Sequence, residues 1–292
     1  MKMKKITPYL FLIPSLFFFG FFVLYPTISS VYVSFYKWDG ISPITKFVGL
    51  THYKELFFDD PYFLNALKNN IIWIVIFLIF PTSLGLFIAI MVNENIRGEN
   101  VFKSIIYFPM TLSFIVVGLI WTWIYEPRLG ILNSVLKTIG LDSLARPWLG
   151  SRQVVLYAVI IAASWPHAAF CMVVFLAGLR AIPVEVIEAA KIDGASAWQS
   201  FRHIILPLLR PALTIVIAIT IIVSSKVFSI VYLMTMGGPA RSSEVLALYM
   251  YLTSFLQYRK GYGCAIAVVI FLIVFSVAIP YVKRMTEKEA EL

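Results

Sequence analysis

Polar side chains able to do chemistry fall into two small groups in this otherwise apolar sequence. The first lies in the run EAAKIDGASAWQSFRHIILP, Glu188 to Pro207, which separates two long apolar stretches. Its acids and bases suit ionic contact with another polypeptide, and its small residues Ala189, Ala190, Gly194 and Ala195 let such a surface come close. The second group is embedded in the apolar stretches themselves: His167, Thr220, Ser224 and Lys226. Ala163, His167 and Phe170 share one helical face, next to a Trp165-Pro166 step where the helix could open. Thr220 and Ser224, four apart, share another. Imidazole, hydroxyl and aromatic groups together offer hydrogen-bond donors, acceptors and flat apolar faces. Two plainer roles stay open: His167 as a hydrogen-bond partner between packed helices, and Thr220 and Ser224 as donors to carbonyls of their own helix.

Lys226 is harder to place. A lysine near the bilayer centre costs roughly 2.5 to 3.5 kcal/mol on insertion scales, and intramembrane charges usually face a cavity or a partner. It lies past the middle of its stretch, so it either snorkels outward or meets an anion on another helix or on an acidic substrate. Neither group contains a carboxylate network inside the apolar runs, a metal-ligand cluster or a nucleophile with its base. No G-x-x-x-x-G-K-[ST] phosphate loop occurs anywhere. The expectation is a chain with no catalytic residue and no metal.

The elements that must hold these groups are set by composition. Of 292 residues, 60% are hydrophobic and only 13% charged, against roughly a quarter charged in soluble domains. The expected fold is an all-α integral membrane protein of six spans, at about 9–33, 70–92, 105–125, 154–179, 211–235 and 264–282. Each run is long enough, at about 1.5 Å per residue, to cross a hydrocarbon core of roughly 30 Å. The net charge of +9 is spread through the connecting segments, which fits membrane topology and argues against nucleic acid. Cys171 and Cys264 both sit in apolar runs, as small buried groups rather than a disulfide pair.

The opening MKMKK leads into an apolar run without a small-x-small cleavage pattern, so it reads as an uncleaved first span with Pro14 and Pro26 able to kink it. Lys2, Lys4 and Lys5 argue for a cytoplasmic N-terminus, residues 1–8, and Lys283 and Arg284 for a cytoplasmic C-terminus, residues 283–292. Residues 9–282 form one membrane domain. The linker NENIRGENVFKS, with Arg97 and Lys103, falls on the inner side. The segment beginning YKWDGISPITKF and the one beginning EPRLGILNSVLK, with a short helix at Ile131 to Ile139, fall outside. Lys and Arg divide almost evenly between the two sides, so parity with the N-terminus decides the orientation.

Within the inner loop 180–210, Pro183 suits the first position of a helix because its missing donor would be unpaired there. Glu185 and Glu188 follow near the positive end of the helix dipole and Lys191 comes late, near the negative end. Gly194 can take the left-handed conformation that stops a helix. A second amphipathic helix follows, with Trp198, Phe201 and Ile205 on one face and Gln199, Arg202 and His203 on the other. Pro207 and Pro211 then bend the chain into the fifth span.

The spacing Glu188-Ala189-Ala190, three residues, Gly194, nine residues, Ile204, one residue, Leu206-Pro207 resembles the EAA loop of membrane permease subunits of binding-protein-dependent ABC importers. From end to end the chain is similar to the carbohydrate group, in its maltose and glycerol-3-phosphate permease branch. FVGLTHYKELFFDDPYF, IYFPMTLSFIVVGLIWTWIY, FLAGLRAIPVEVIEAAKIDGAS and LMTMGGPARSSEVLALYMY carry that likeness.

The resemblance implies the type I permease fold and import of a sugar or oligosaccharide across the cytoplasmic membrane of a prokaryote. It implies a second homologous permease subunit, two copies of an ATP-binding subunit that hold the ATP and magnesium, and an extracytoplasmic solute-binding protein. Glu188, Ala189, Ala190, Asp193, Gly194, Ile204, Leu206 and Pro207 would couple to the ATPase, Glu188 as the ionic contact. His167, Phe170, Thr220, Ser224 and Lys226 would lie along the substrate path. The family often has an aspartate three residues after the lysine; Ser229 stands there instead, so that local counter-ion is missing. Glycerol phosphate or another polyol is the alternative substrate. A self-sufficient secondary transporter is the rival from another class.

Overall fold

The computed structural model describes residues 3–93 and 99–289; Lys2 and Arg97 lie outside them. The described chain is mostly helical. In order it runs α1 Met3–Phe19, α2 Tyr25–Val33, β1 Tyr36–Lys37, β2 Lys46–Phe47, α3 Thr51–Lys54, α4 Pro61–Asn93, α5 Glu99–Tyr107, α6 Phe114–Ile124 and α7 Ile131–Thr138. There follow α8 Val155–Arg180, α9 Val184–Ile192, α10 Ala197–Ser200, α11 Leu206–Leu208, α12 Arg210–Ser225, α13 Ser229–Thr235, α14 Leu246–Tyr251 and α15 Lys260–Glu289. Among the described residues four helices are long and apolar enough to cross a membrane, or up to six spans result if each of two bent pairs counts as one.

The chain divides into two compact units. The first comprises Met1–Leu64 and Tyr249–Leu272. Its α1 and α2 are joined by a wide π-turn, Gly20–Leu24, in which the Tyr25 amide donates to the Gly20 carbonyl. Pro26, next in line, has no amide to give, so the ladder must shift register there. In the apolar stretch Phe11–Val33 only the last residue, Val33, is buried against the rest of the chain. After a two-stranded antiparallel ribbon that pairs Tyr36 with Phe47, this unit gathers around Asp60.

One Asp60 oxygen accepts from the amides of Tyr62 at 2.9 Å and Phe63 at 3.1 Å, capping the start of α4. The other accepts from the hydroxyls of Tyr249 and Tyr262, each at 2.5 Å. Burial pushes this carboxyl up, but the tyrosine hydroxyls and the two amides outweigh it and hold Asp60 below the usual carboxylate value. Beside it, the His52 ring meets Tyr262 edge to face and its Nε2 donates to the Tyr36 carbonyl at 3.2 Å. Burial pulls His52 below the ordinary imidazole value. Arg259 lies over the Tyr262 ring and grips Glu55 at 2.6 Å and 2.8 Å.

The second unit comprises Asn65–Leu248 and Ile273–Leu292. Its axis is α8, most of whose apolar length is buried. Pro166 stands inside α8 without breaking it, so the opening expected at Trp165-Pro166 is absent; the pyrrolidine ring is buried among neighbouring helices that hold the two halves in line. Cys171 is fully buried in this core, together with Met172, Phe175, Leu209 and Val216, whereas Cys264, in the first unit, is half-buried; both are free thiols. Small residues set the closest approach: a Cβ on Gly178 would stand 2.8 Å from that of Ala212 and 2.9 Å from Leu209. Apolar side chains gain little by leaving lipid for protein, so tight packing of this kind is what holds the two helices together.

Two runs expected as straight spans are broken. In the run 105–125, a tight turn at Phe108–Thr111 ends the first helix, and α6 starts after a bend of 103°. Pro109 explains the stop, and Ser113 explains the restart by accepting from the Val116 amide at 3.4 Å. In the run 211–235, α12 ends at Ser225 and α13 begins at Ser229, so Lys226 sits in the gap. The 67° bend ahead of α12 falls between Pro207 and Pro211, where it was expected. The last helix begins four residues before its expected start, at Lys260, and its apolar part reaches Tyr281.

Candidate functional site

The loop after α8 is built from signals in its own sequence. Pro183 is the cap of α9, one position before the expected first turn, with extended ψ of 134°. Its missing amide costs nothing there, because the first amides of a helix have no partner within it. At the far end the Ala195 amide reaches the Ala190 carbonyl at 3.0 Å and the Gly194 amide reaches that of Lys191 at 3.1 Å. These two bonds are the Schellman stop, and Gly194 adopts the left-handed φ of 81° that it requires. Two residues later the next helix opens on a capping box: Gln199 N donates to Ser196 Oγ at 3.3 Å, and Ser196 N donates to Gln199 Oε1 at 2.7 Å. The Ser-x-x-Gln spacing carried that signal in the sequence. It was missed there.

Both helices are therefore terminated by local bonds, and the turn between them faces outward. Glu188, Ala189, Asp193 and Gly194 are exposed, Ala190 is buried, and Ile204, Leu206 and Pro207 are half-buried. Ile187 and Ile205 pack against the core around Leu179 and Leu209, which fixes the roots of the loop. Its tip is left apolar as well as charged, with Ile192 85% exposed and Trp198 65% exposed. Trp198 and Phe201 share the expected face, their rings 5.7 Å apart. An apolar cavity of about 790 Å³ lies between the loop and the end of α4, walled by Phe87, Ile90, Trp198 and Phe201.

Deeper in the same unit, His167 and Thr220 meet, Nε2 to Oγ1 at 2.8 Å, joining α8 to α12. His167 is also stacked on Phe77, centroids 4.7 Å apart, and neighbours Phe170 at 5.5 Å. Ser224 Oγ donates to the Thr220 carbonyl at 2.6 Å, the own-helix role left open for it. His167, Thr220 and Ser224 are all buried, Phe170 is half-buried and Lys226 is exposed. The five predicted residues thus split into a buried polar pair with its neighbours and a separate lysine. Lys226 lines a cavity of about 260 Å³ with Trp73, Phe77, Phe114, Ala163 and Ser229.

Three asparagines unremarked in the sequence organise this break. Asn70 Nδ2 donates to the Ser224 carbonyl at 3.2 Å, while its Oδ1 accepts the Leu246 amide at 3.0 Å. One side chain thereby satisfies the end of α12 and the start of α14. Asn65 donates to the Arg241 carbonyl at 2.8 Å, and Asn69 donates to those of Ser242 at 3.1 Å and Glu244 at 2.8 Å. They hold a loop in which Met236, Ala240 and Arg241 all have positive φ. Irregular backbone at membrane depth persists only where protein or a cavity satisfies it. The available signal was three amides on one turn-and-a-bit of an otherwise apolar helix.

Comparison with known proteins follows from this geometry. The model of the family described as binding-protein-dependent transport system inner membrane component matches residues 81–290. A "Probable ABC transporter permease protein" of Pyrococcus horikoshii is 38% identical over 96% of this chain and 97% of its own length. A xylose/arabinose import permease of Haloferax volcanii is 33% identical over 85% of this chain and 78% of its own. In structure, a subunit of a bacterial ABC transporter involved in import of the acidic polysaccharide alginate superimposes with a TM-score of 0.84, covering 98% of each chain at 23% identity.

Proposed function

The chain belongs to the family of inner membrane components of binding-protein-dependent transport systems, and from that premise we propose that it passes a sugar or oligosaccharide across a prokaryotic cytoplasmic membrane. It is a multi-pass permease subunit of an ABC importer. The partners in this reading are a second homologous permease subunit, two copies of an ATP-binding subunit and an extracytoplasmic solute-binding protein. Both termini lie in the cytoplasm, and ATP and magnesium bind to the partner ATPase.

The observation that carries the reading is the outward-facing turn at Glu188 to Gly194, a helix with its own stop set between two firmly rooted ends. An exposed surface that joins Glu188 and Asp193 to Ile192 and Trp198 needs a protein to cover it, and the ATP-binding subunit is the partner assigned to it. Ile204, Leu206 and Pro207 orient the second limb. The first span, exposed over most of its apolar length, leaves an apolar cylinder for lipid or for the second permease subunit. His167, Phe170, Thr220, Ser224 and Lys226 belong to the substrate path, the first four as its supporting wall. The sugar assignment draws on the xylose/arabinose relative.

The test is ATP-driven uptake in proteoliposomes by this chain combined with its partners. Glu188→Cys should cross-link to the ATP-binding subunit. Flux through this chain alone, without ATP or partners, would instead identify a secondary transporter.

A further inference from the structure

Resting on the reading of the chain as a sugar permease, we propose that the cavity at the α12–α13 break binds an acidic sugar, with Lys226 as the residue that meets its carboxylate. Lys226 stands in the gap between two halves of an apolar helix and lines the cavity with Val223, Val227 and Ile230. Among the described residues no acidic one lines this cavity, and Lys226 forms no ion pair with any of them. The end of α12 places partial negative charge beside it, yet about half a charge is not a counter-ion. Charges retained at this depth face a cavity or a partner, and here the cavity is present while the anion is not.

The remaining walls define what accompanies that anion. Phe114 and the half-buried Phe228 present aromatic surface, suited to the C–H face of a pyranose ring, while Trp73 and Phe77 are buried behind them. Trp73 is fully buried, and its indole N–H finds no acceptor among the described residues. Ser229 adds a hydroxyl at the rim. At about 260 Å³ the space is near the lower end of ligand pockets, so it takes one ring at a time. A carboxylate for the lysine together with a ring for the aromatic wall describes a uronic acid residue.

The experiment uses the assembled transporter in proteoliposomes with ATP. Its substrates are galacturonate, glucuronate and mannuronate trisaccharides, each offered beside its methyl ester, which keeps the ring and removes the charge. The native chain should favour the acids. Lys226→Met should lower the acid-to-ester ratio of kcat/KM by roughly tenfold or more, the size of one lost charge-assisted hydrogen bond, and Lys226→Arg should restore most of it. Gel filtration of each assembled variant separates misfolding from selectivity. Uptake of esters alone, or an equal loss for acids and esters, would overturn the acidic-sugar site and leave the sugar permease standing. The equal loss would mark Lys226 as the partner of a protein carboxylate. If no acid or ester of the panel enters while the binding protein still stimulates ATP hydrolysis, the acidic-sugar site is overturned, and the sugar reading fails as well only when neutral oligosaccharides offered in the same assay are also excluded.

Discussion

His167 and Thr220 face each other from two different spans, ring nitrogen to hydroxyl at 2.8 Å, with His167 5% and Thr220 0% exposed. In a helix pair held by close packing, such a bond fixes the rotation of one helix against the other. Thr220→Val keeps the volume but leaves the imidazole without its partner, which should cost about 1–3 kcal/mol. Thr220→Ser should cost less. Thermal unfolding in detergent reads the difference, and equal melting of the two variants would remove the bond from the account of stability.

Gly194 allows a cleaner separation of internal from external effects. A Cβ there would meet nothing within 4 Å in this chain, so the internal penalty is the left-handed backbone alone, about 1–2 kcal/mol. Gly194→Leu should leave the protein inserted and assembled, yet break the link between ATP hydrolysis and uptake. Gly194→Asn should be milder, because Asn tolerates this conformation. Normal coupled uptake by the Leu variant would show that no partner surface closes over the turn.

Asp60 and His52 predict the acid limit of the first unit. Asp60 is held below its unfolded value near 3.9, so its contribution is complete above that value and is lost as pH falls below it. His52 is also held down, by burial; its neutral form is favoured in the fold, so its contribution is complete above about 6.5 and declines below that. Melting temperature should therefore fall in two stages on acidification. Tyr262→Phe should weaken the lower stage, and His52→Gln should abolish the upper one. A melting temperature that stays flat between pH 7 and pH 5 would contradict the role given to His52.

Asn70 is the residue on which the break between α12 and α13 depends. Asn70→Leu removes the partner of the Leu246 amide and one of the donors to the Ser224 carbonyl, which keeps bonds from the Lys226 and Val227 amides. The expected cost is about 1–3 kcal/mol for the buried amide left unmet. Hydrogen exchange should rise at Leu246 and its neighbours before it rises in α8. Unchanged protection at Leu246 would mean that other groups close the break.

The spans were legible because hydropathy over twenty residues is a strong signal, and the loop because caps, glycine and proline act within one turn of themselves. Breaks inside apolar runs were not. Hydropathy is blind to backbone direction, so Leu112 and Ser113 read as part of one span although Pro109 and Ser113 carried the stop and start. At Lys226 no proline or glycine marks the gap. What sustains it is Asn70, more than 150 positions away in sequence from the carbonyl it binds. Pro166 gives the opposite case, a breaker in sequence overruled by the packing around it. The lysine was read as a burden on a helix, whereas it stands where the helix has already ended.

The helix α12 is one uninterrupted piece of 16 residues, about 24 Å long at 1.5 Å per residue. Near its beginning Ala212 presses on Gly178, and midway Thr220 is tied to His167. A rod clasped to its neighbour at two points neither buckles nor turns alone. A push delivered where the loop ends must move α8 and α12 as a pair, and the first place able to yield is the gap beyond Ser225. In the proposed coupling, a load passed on by the loop meets one end of this shaft, and the irregular stretch after Ser225 lies at the other.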